Sequence, residues 1–261
     1  MKKYIADWTV KEKTLFKKNE YCLLKLGLDG VIPEILPGQF VQIRVDNSPT
    51  TFLRRPISVH YVDKIKNELW LLIQVIGDGT RKLSELKTGE RLNLIYPLGN
   101  NFNLPEKSDK TGKFLLIGGG VGIAPFLFLG ACLQERGYKP DFLLGVKTKE
   151  DVLQISEYCK YGDFHITTED GSIGEKGFVT DHSVLHSTEW DFIYTCGPRS
   201  MMAAIAKYAR EKSIFCEVSL ENTMACGIGA CLCCVEKTTL GNICVCMEGP
   251  VMNIDQLTWQ I

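Results

Sequence analysis

The sequence predicts an α+β multidomain chain: an N-terminal antiparallel β-barrel, a parallel α/β domain and a small cysteine-rich C-terminal domain. Three observations carry this. Runs of strand length, bounded by turn residues, fill the first part of the chain. Strands alternate with helices in the second part. Six of the eleven cysteines then fall between Cys226 and Cys246.

In the first part, residues 1–105, the runs are YCLLKLGL, GQFVQIRV, RRPISVHYV, ELWLLIQVI and RLNLIYPLG. They are rich in β-branched and aromatic residues, and Pro37-Gly38, Asp46-Asn47 and Gly77-Asp78-Gly79 punctuate them. Short strands at this spacing suggest a small antiparallel barrel, with one short helix at Thr80 to Leu86. The second part, 106–215, reads KFLLIGGG as strand into turn, APFLFLGACLQERG as a helix and DFLLGV as a strand. KEDVLQISEYCKY follows as a helix, DFHITTED as a strand and GFVTDHSVLHS as the lead into another helix. DFIYTCGP is a strand into a turn, and RSMMAAIAKYAREK a helix. This alternation implies a parallel sheet covered on both faces.

The third part, 216–261, holds five acids against one base, whereas residues 1–105 carry 16 bases and 11 acids. Charge is therefore segregated although the whole chain sums to −1. With 30 basic and 31 acidic side chains, the charge balance argues against a nucleic-acid reader driven by bulk positive charge. The start, MKKYIADWTVKEKT, has two lysines but no apolar run after them. The chain therefore reads as cytoplasmic, with reduced thiols, and a dense cysteine cluster there points to metal before disulfide. One uncharged run, Phe114 to Leu133, is long enough to span a membrane. Its internal order, a short strand, a glycine turn and Pro125 before a helix, argues for a folded strand–turn–helix and no membrane.

The strongest chemical signal is CGIGACLCC followed by CVC. Cys226, Cys231 and Cys234 are spaced C-x4-C-x2-C, the spacing of plant-type [2Fe–2S] loops. Two irons and two sulfides need four converging thiolates, and Gly227 and Gly229 let the backbone wrap tightly enough to supply three. The fourth comes from Cys244 or Cys246. The alternatives are a structural zinc site, for which only one good knuckle is present, or buried small hydrophobes.

Three further motifs are phosphate-binding candidates. In RRPIS, an arginine and a serine three residues on can clamp a phosphate. IGDGT offers glycines at a helix start. GGGVGIAP, Gly118 to Pro125, lies between strand and helix as a nucleotide turn does, without the third glycine of G-x-G-x-x-G. Cys196-Gly197-Pro198 ends the last parallel strand, where α/β sheets bind ligands, and its thiol could meet a nicotinamide ring. The four histidines have no mutual ligand spacing and read as structural or surface residues.

Barrel, parallel domain and cysteine tail, in this order, resemble the ferredoxin–NADP reductase superfamily with an iron–sulfur tail. Within it, the chain resembles the electron-transfer subunits of NAD-dependent (type B) dihydroorotate dehydrogenases. The matching pieces are PGQF at 37–40, RRPIS at 54–58, GDGT at 77–80, YPLGN at 96–100 and GGGVGIAP at 118–125. EDGSIGEKG at 169–177, YTCGP at 194–198, MACGIGAC and CMEGPV complete them. The resemblance implies FAD on Arg55, Pro56, Ile57, Ser58, Gly79 and Thr80, with Leu72, Ile73 and Gln74 lining it. It implies NAD(H) at Gly118, Gly119, Gly120 and Gly122, with Cys196 near the nicotinamide, and a [2Fe–2S] cluster on Cys226, Cys231, Cys234 and Cys246. Cys233 and Cys244 are additional to the family pattern. The implied function is electron transfer to NAD+ from an FMN-containing dihydroorotate dehydrogenase catalytic subunit, in a heterotetramer serving pyrimidine biosynthesis. The rivals are the small subunit of an NADH-dependent ferredoxin–NADP oxidoreductase or of a sulfide dehydrogenase, and a non-enzymatic redox sensor.

Overall fold

The structure, a computed structural model, describes residues 2–105 and 112–259. By contacts these form two compact units. One takes the chain up to Asn101 together with 222–236 and 243–250; the other takes Phe102–Glu221, 237–242 and the residues from Val251.

The first unit is built on strands β1 (Tyr4–Phe16), β2 (Tyr21–Leu28), β3 (Phe40–Ile43), β4 (Arg55–Ser58), β5 (Tyr61–Asp63), β6 (Glu68–Gln74) and β7 (Arg91–Leu98). Their order in the sheet is β4-β3-β7-β1-β2-β6-β5, and every pair is antiparallel. The edge strands β4 and β5 are neighbours in sequence, separated by Val59 and His60. The Val59 amide donates to the Gln39 carbonyl (2.9 Å) and the His60 amide to the Trp70 carbonyl (3.0 Å). One stretch of chain thus joins both edges, and the sheet wraps on itself as the expected barrel. That is why the single run RRPISVHYV becomes two strands. Alternation fills the interior: Leu69, Leu71 and Ile73 are fully buried, as are Trp8, Val10, Leu24 and Leu26.

β1 is the strand the sequence reading left unnamed. Its thirteen residues bury only Trp8 and Val10, and its lysines and acids hide the alternation. A register shift between Val10 and Glu12 bends it, so its first half pairs with β7 while most of its length pairs with β2. The expected short helix is α1 (Asp78–Ser84).

The second unit contains the parallel sheet. Its strands are β8 (Phe114–Gly119), β9 (Asp141–Val146), β10 (Asp163–Thr168), β11 (Glu175–Lys176), β12 (Phe192–Cys196) and β13 (Phe215–Ser219). The C-terminal segment adds the hairpin β14 (Val235–Thr238) and β15 (Gly241–Cys244), then β16 (Val251–Asn253). Sheet order is β11-β10-β9-β8-β12-β13-β16, with only β16 antiparallel. The helices of this unit are α2 (Ala124–Glu135), α3 (Ile155–Tyr158), α4 (Ser183–Ser187) and α5 (Arg199–Glu211), while α6 (Val245–Glu248) belongs to the barrel unit. The uncharged run Phe114 to Leu133 is β8, a 3-10 turn at Gly120–Ile123 and most of α2. Among the described residues no helix is long and apolar enough to cross a membrane.

The helix expected over KEDVLQISEYCKY is broken. A 3-10 turn at Lys149–Asp151 and the single turn of α3 are separated by Val152 to Gln154, and Gln154 sits in the left-handed region (φ 55°). The Thr148 hydroxyl and Asp151 carboxylate close a capping box on the first turn, which ends there.

Candidate functional site

The cysteine loop belongs to the barrel unit. Gly227 (φ 70°) and Gly229 (φ 80°) take left-handed backbone, as does Leu232 (φ 56°), and the chain curls between Cys226 and Cys234. Four sulfurs meet there in two pairs. Cys226 receives hydrogen bonds from the Ile228 amide (3.4 Å) and from the Ala230 and Cys231 amides, and the Cys231 side chain bonds to it as well. The Cys246 amide donates to the Cys234 sulfur (3.3 Å), and the Cys246 thiol bonds to the same atom. The Gly229 amide donates to the Cys246 sulfur (3.2 Å), which joins the pairs. Among the described residues no three His, Cys, Asp or Glu side chains close around one point as ligands of a single ion do. A two-and-two arrangement instead suits two bridged irons taking two thiolates each.

The electrostatics differ across the pairs. Desolvation pushes Cys226 up, but the amides of Ile228, Cys231 and Ala230 and the Cys231 side chain outweigh it and bring the thiol down to about 6. Burial pushes Cys246 up to about 12, reinforced by Cys234. Cys246 and Cys234 are buried, Cys231 and Cys233 exposed, and Cys244 lies between. The CMEGP segment carrying Cys246 is anchored to the end of β7. The Asn100 amide donates to the Gly249 carbonyl (2.6 Å) and its side chain to the Glu248 carbonyl (2.9 Å). Gly99, at φ 74°, admits Pro250 where a β-carbon would lie 2.5 Å from it. The YPLGN and CMEGP motifs are therefore two sides of one contact.

In the same unit, β4 and α1 bring the two phosphate motifs together. A β-carbon at Gly79 would meet the Arg55 Nε at 2.7 Å, so the guanidinium lies directly on the Gly79 backbone. Among the described residues Arg55 bonds only to carbonyls of its own loop, Leu53 (2.9 Å) and Arg54 (3.4 Å). Arg54 is committed inward, to the Gln42 and Asn93 carbonyls and the Asn93 side chain. The arginine pair thus divides into one structural and one available member. Pro56, Ile57 and Ser58 are half-buried along β4. The Thr80 hydroxyl accepts from the Ile76 and Gly77 amides and donates to the Gly77 carbonyl, so it caps α1. On β6, Leu72 and Gln74 share one face; Ile73 points into the barrel core and offers a ligand only its backbone.

In the second unit, β8 has β9 on one side and β12 on the other, so the chain reverses its winding at this place. The carboxyl ends of β8 and β12 form the switch point where such sheets take ligands. Both predicted loops are there. Cys196 pairs with Gly118, and a β-carbon at Gly122 would lie 2.4 Å from the Cys196 carbonyl oxygen. Gly119 packs on Pro198 and Met201, while Gly120 (φ 56°) faces open space. Cys196 is buried, its sulfur 3.8 Å from a Glu221 carboxylate oxygen. Burial and the Glu221 charge raise this thiol well above its ordinary value, so it stays protonated and uncharged. Glu221 itself is raised by desolvation, partly offset by the Cys196 hydrogen bond. Glu221 was missed in the sequence; its only signal was its place two residues beyond the end of the strand beside β12.

The contacts of three of the histidines are those of structural or surface residues. His165 pairs with Asp141 (2.7 Å), His182 caps α4 and His186 meets the Thr180 carbonyl (2.9 Å).

Residues 221–258 match the model of the iron-sulfur cluster binding domain of dihydroorotate dehydrogenase B. Residues 116–207 match the oxidoreductase NAD-binding domain. The chain is 35% identical to a dihydroorotate dehydrogenase B (NAD(+)) electron transfer subunit of Shouchella clausii, over 98% of this chain and 99% of that one. It is 36% identical to the same subunit of Fusobacterium nucleatum, over 95% and 96%. Among solved structures, the NADH-dependent reduced ferredoxin-NADP oxidoreductase superposes with a TM-score of 0.84 at 27% identity, covering 97% of this chain and 90% of that one. The ferredoxin reductase of carbazole 1,9a-dioxygenase shares the fold alone, with a TM-score of 0.69 at 22% identity over 82% and 67%. With four paired thiols, a barrel motif that joins Arg55 to Gly79 and a glycine turn at the sheet's switch point, the chain belongs to the family of electron transfer subunits of NAD(+)-dependent dihydroorotate dehydrogenase B.

Proposed function

We propose that the chain carries electrons from an FMN-containing dihydroorotate dehydrogenase catalytic subunit to NAD+, in pyrimidine biosynthesis and in a cytoplasmic heterotetramer of two subunits of each kind. Its resident groups are FAD and a [2Fe–2S] cluster. The functional divisions are 1–105 for FAD, 106–215 for the nucleotide and 216–261 for the cluster. The observation that carries this reading is the convergence of Cys226, Cys231, Cys234 and Cys246 in the unit that also joins Arg55 to Gly79.

When bound, a flavin exchanges both hydride and single electrons, which lets a one-electron cluster and a two-electron nucleotide serve one pathway. The chain's own residues position and insulate. Arg55 supplies a fixed positive charge for a pyrophosphate, and the Gly79 backbone allows its close approach. Cys196, neutral and buried, gives a nicotinamide ring an apolar neighbour without a competing nucleophile. The turn Gly118, Gly119, Gly120 and Gly122 leaves room for phosphates beside the backbone. Amides of Ile228 and Gly229 already point at sulfur, as stabilisers of thiolate charge.

Analysis of the purified chain tests this reading. About one FAD and two irons per chain are expected, and Cys226→Ser removes the iron while leaving most of the flavin. Zinc in place of iron in anaerobically prepared protein overturns it. Similarity to the ferredoxin-NADP oxidoreductase structure favours a second reading, in which ferredoxin rather than dihydroorotate is the electron source. Activity with each donor separates the two.

A further inference from the structure

Two buried glutamines stand near the start and in the middle of β3, and they differ in one respect. Gln39 uses both ends of its amide: the Leu36 amide donates to its oxygen (2.8 Å) and its nitrogen donates to the Gly99 carbonyl (3.0 Å). Gln42 is fully buried, and among the described residues neither its amide nitrogen nor its oxygen has a hydrogen-bond partner. Folded proteins rarely leave such a group unpaired, because its lost hydration is not returned. Its flanking residues, Val41 and Ile43, are fully buried and apolar.

What the Gln42 amide does touch is the cysteine loop. A β-carbon placed on Gly227 would lie 2.8 Å from the Gln42 amide nitrogen and 2.6 Å from its Cγ. Gly227 follows Cys226 directly. Across the barrel sheet Gln42 pairs with Pro56 of the RPIS motif. The one unsatisfied carboxamide of this strand therefore lies between the proposed flavin strand and the proposed cluster loop, within a single compact unit.

We infer that the Gln42 side chain is a hydrogen-bond donor to the sulfur side of the iron–sulfur group held by the Cys226 loop, and that it tunes the potential of that group. The inference rests on the cluster reading above. An N–H directed at sulfide or thiolate stabilises the reduced form, which carries one more negative charge, and so raises the potential. No bond is made or broken, and the residue is a positioning one, outside the ligand set.

The test is a redox titration of the loaded protein, followed by the EPR signal of the reduced cluster and by flavin absorbance. Q42M keeps the volume and removes the donor; Q42L does the same with a branched chain. The expected result is a shift of about tenfold in the cluster's reduction equilibrium against the reduced form, about 59 mV for a one-electron couple, with the flavin midpoint unmoved. An unchanged cluster midpoint in a variant that retains its EPR signal overturns the inference. So does loss of iron from both variants with flavin retained, since a donor that only tunes the potential is not a condition of assembly. An EPR-silent wild-type protein without iron would instead overturn the cluster reading itself.

Discussion

Glu217 on β13 is a carboxyl group held in the interior of the parallel sheet. Burial pushes it up to about 7, against the pull of a hydrogen bond from the Asn103 amide (2.8 Å). In the unfolded chain a glutamate titrates near about 4.3. Below that pH both states are protonated and the group's contribution to stability is complete. As pH rises the unfolded chain releases its proton first, so the contribution is lost progressively until the folded group ionises at about 7. At about 1.4 kcal/mol per pH unit the loss is about 4 kcal/mol. Glu217→Gln keeps an oxygen for the Asn103 amide and removes this slope. Urea unfolding should find the variant the more stable protein at pH 8 and show no such advantage at pH 4; an equal difference at both pH values contradicts the assignment.

The two neighbouring arginines make a second comparison of single residues. A charge-assisted bond is worth roughly 1.5–3 kcal/mol, so Arg55→Ala should weaken FAD binding by about ten- to a hundredfold. Arg54→Ala removes bonds to Gln42 and Asn93 inside the barrel and should lower thermal stability at constant flavin affinity in the folded fraction. Flavin retention on dilution distinguishes them, and equal retention in both variants would reject Arg55 as the phosphate residue. From RRPIS alone the division of labour was not legible, because it depends on which carbonyls β3 and β7 present.

At the scale of elements, the strand–turn–helix at Phe114 to Glu135 was legible because its order of apolar run, glycines and proline has one folded solution. Gly122 shows why the turn must be glycine. Its missing β-carbon leaves room for the Cys196 carbonyl, and the three atoms that a methyl would strike, in Cys196 and Gly197, are all backbone. Gly122→Ala should therefore displace the turn from the end of β12, raising KM for NADH at least tenfold while iron and flavin contents stay unchanged. Steady-state kinetics with a dye acceptor measures it, and an unaltered KM would mean that this turn does not hold the nucleotide. Other elements were less visible. β1 conceals its period behind lysines, because only two of its side chains are buried. The break at Gln154 depends on a left-handed backbone that the local sequence does not announce. Gln42 did leave a trace, a lone amide in the apolar run FVQI, but only the fold places Gly227 against it.

At the scale of the whole molecule, an acidic C-terminal segment needs apolar anchors to dock against another protein. Ile228 (45% exposed), Leu232 (64%) and Met247 (44%) present such side chains around the cysteine loop. Met224, just before the same loop, is buried and serves the core instead. Met247 reaches the loop because the CMEGP segment returns beside Gly229. Replacing Ile228 and Leu232 together by Glu should abolish association with the catalytic subunit while NADH–dye activity persists. A double variant that still co-purifies with that subunit would place the interface elsewhere.

As an electron transfer subunit, this chain connects dihydroorotate oxidation to NAD+ by way of a catalytic partner subunit. The direct measurement is NAD+ reduction driven by dihydroorotate, followed at the absorbance of NADH, with the chain alone, the catalytic subunit alone and the two together. NADH formation is expected only in the mixture, with the isolated chain still passing electrons from NADH to dyes. Failure of the mixture to form NADH, when FAD and iron are both present in this chain, would contradict it.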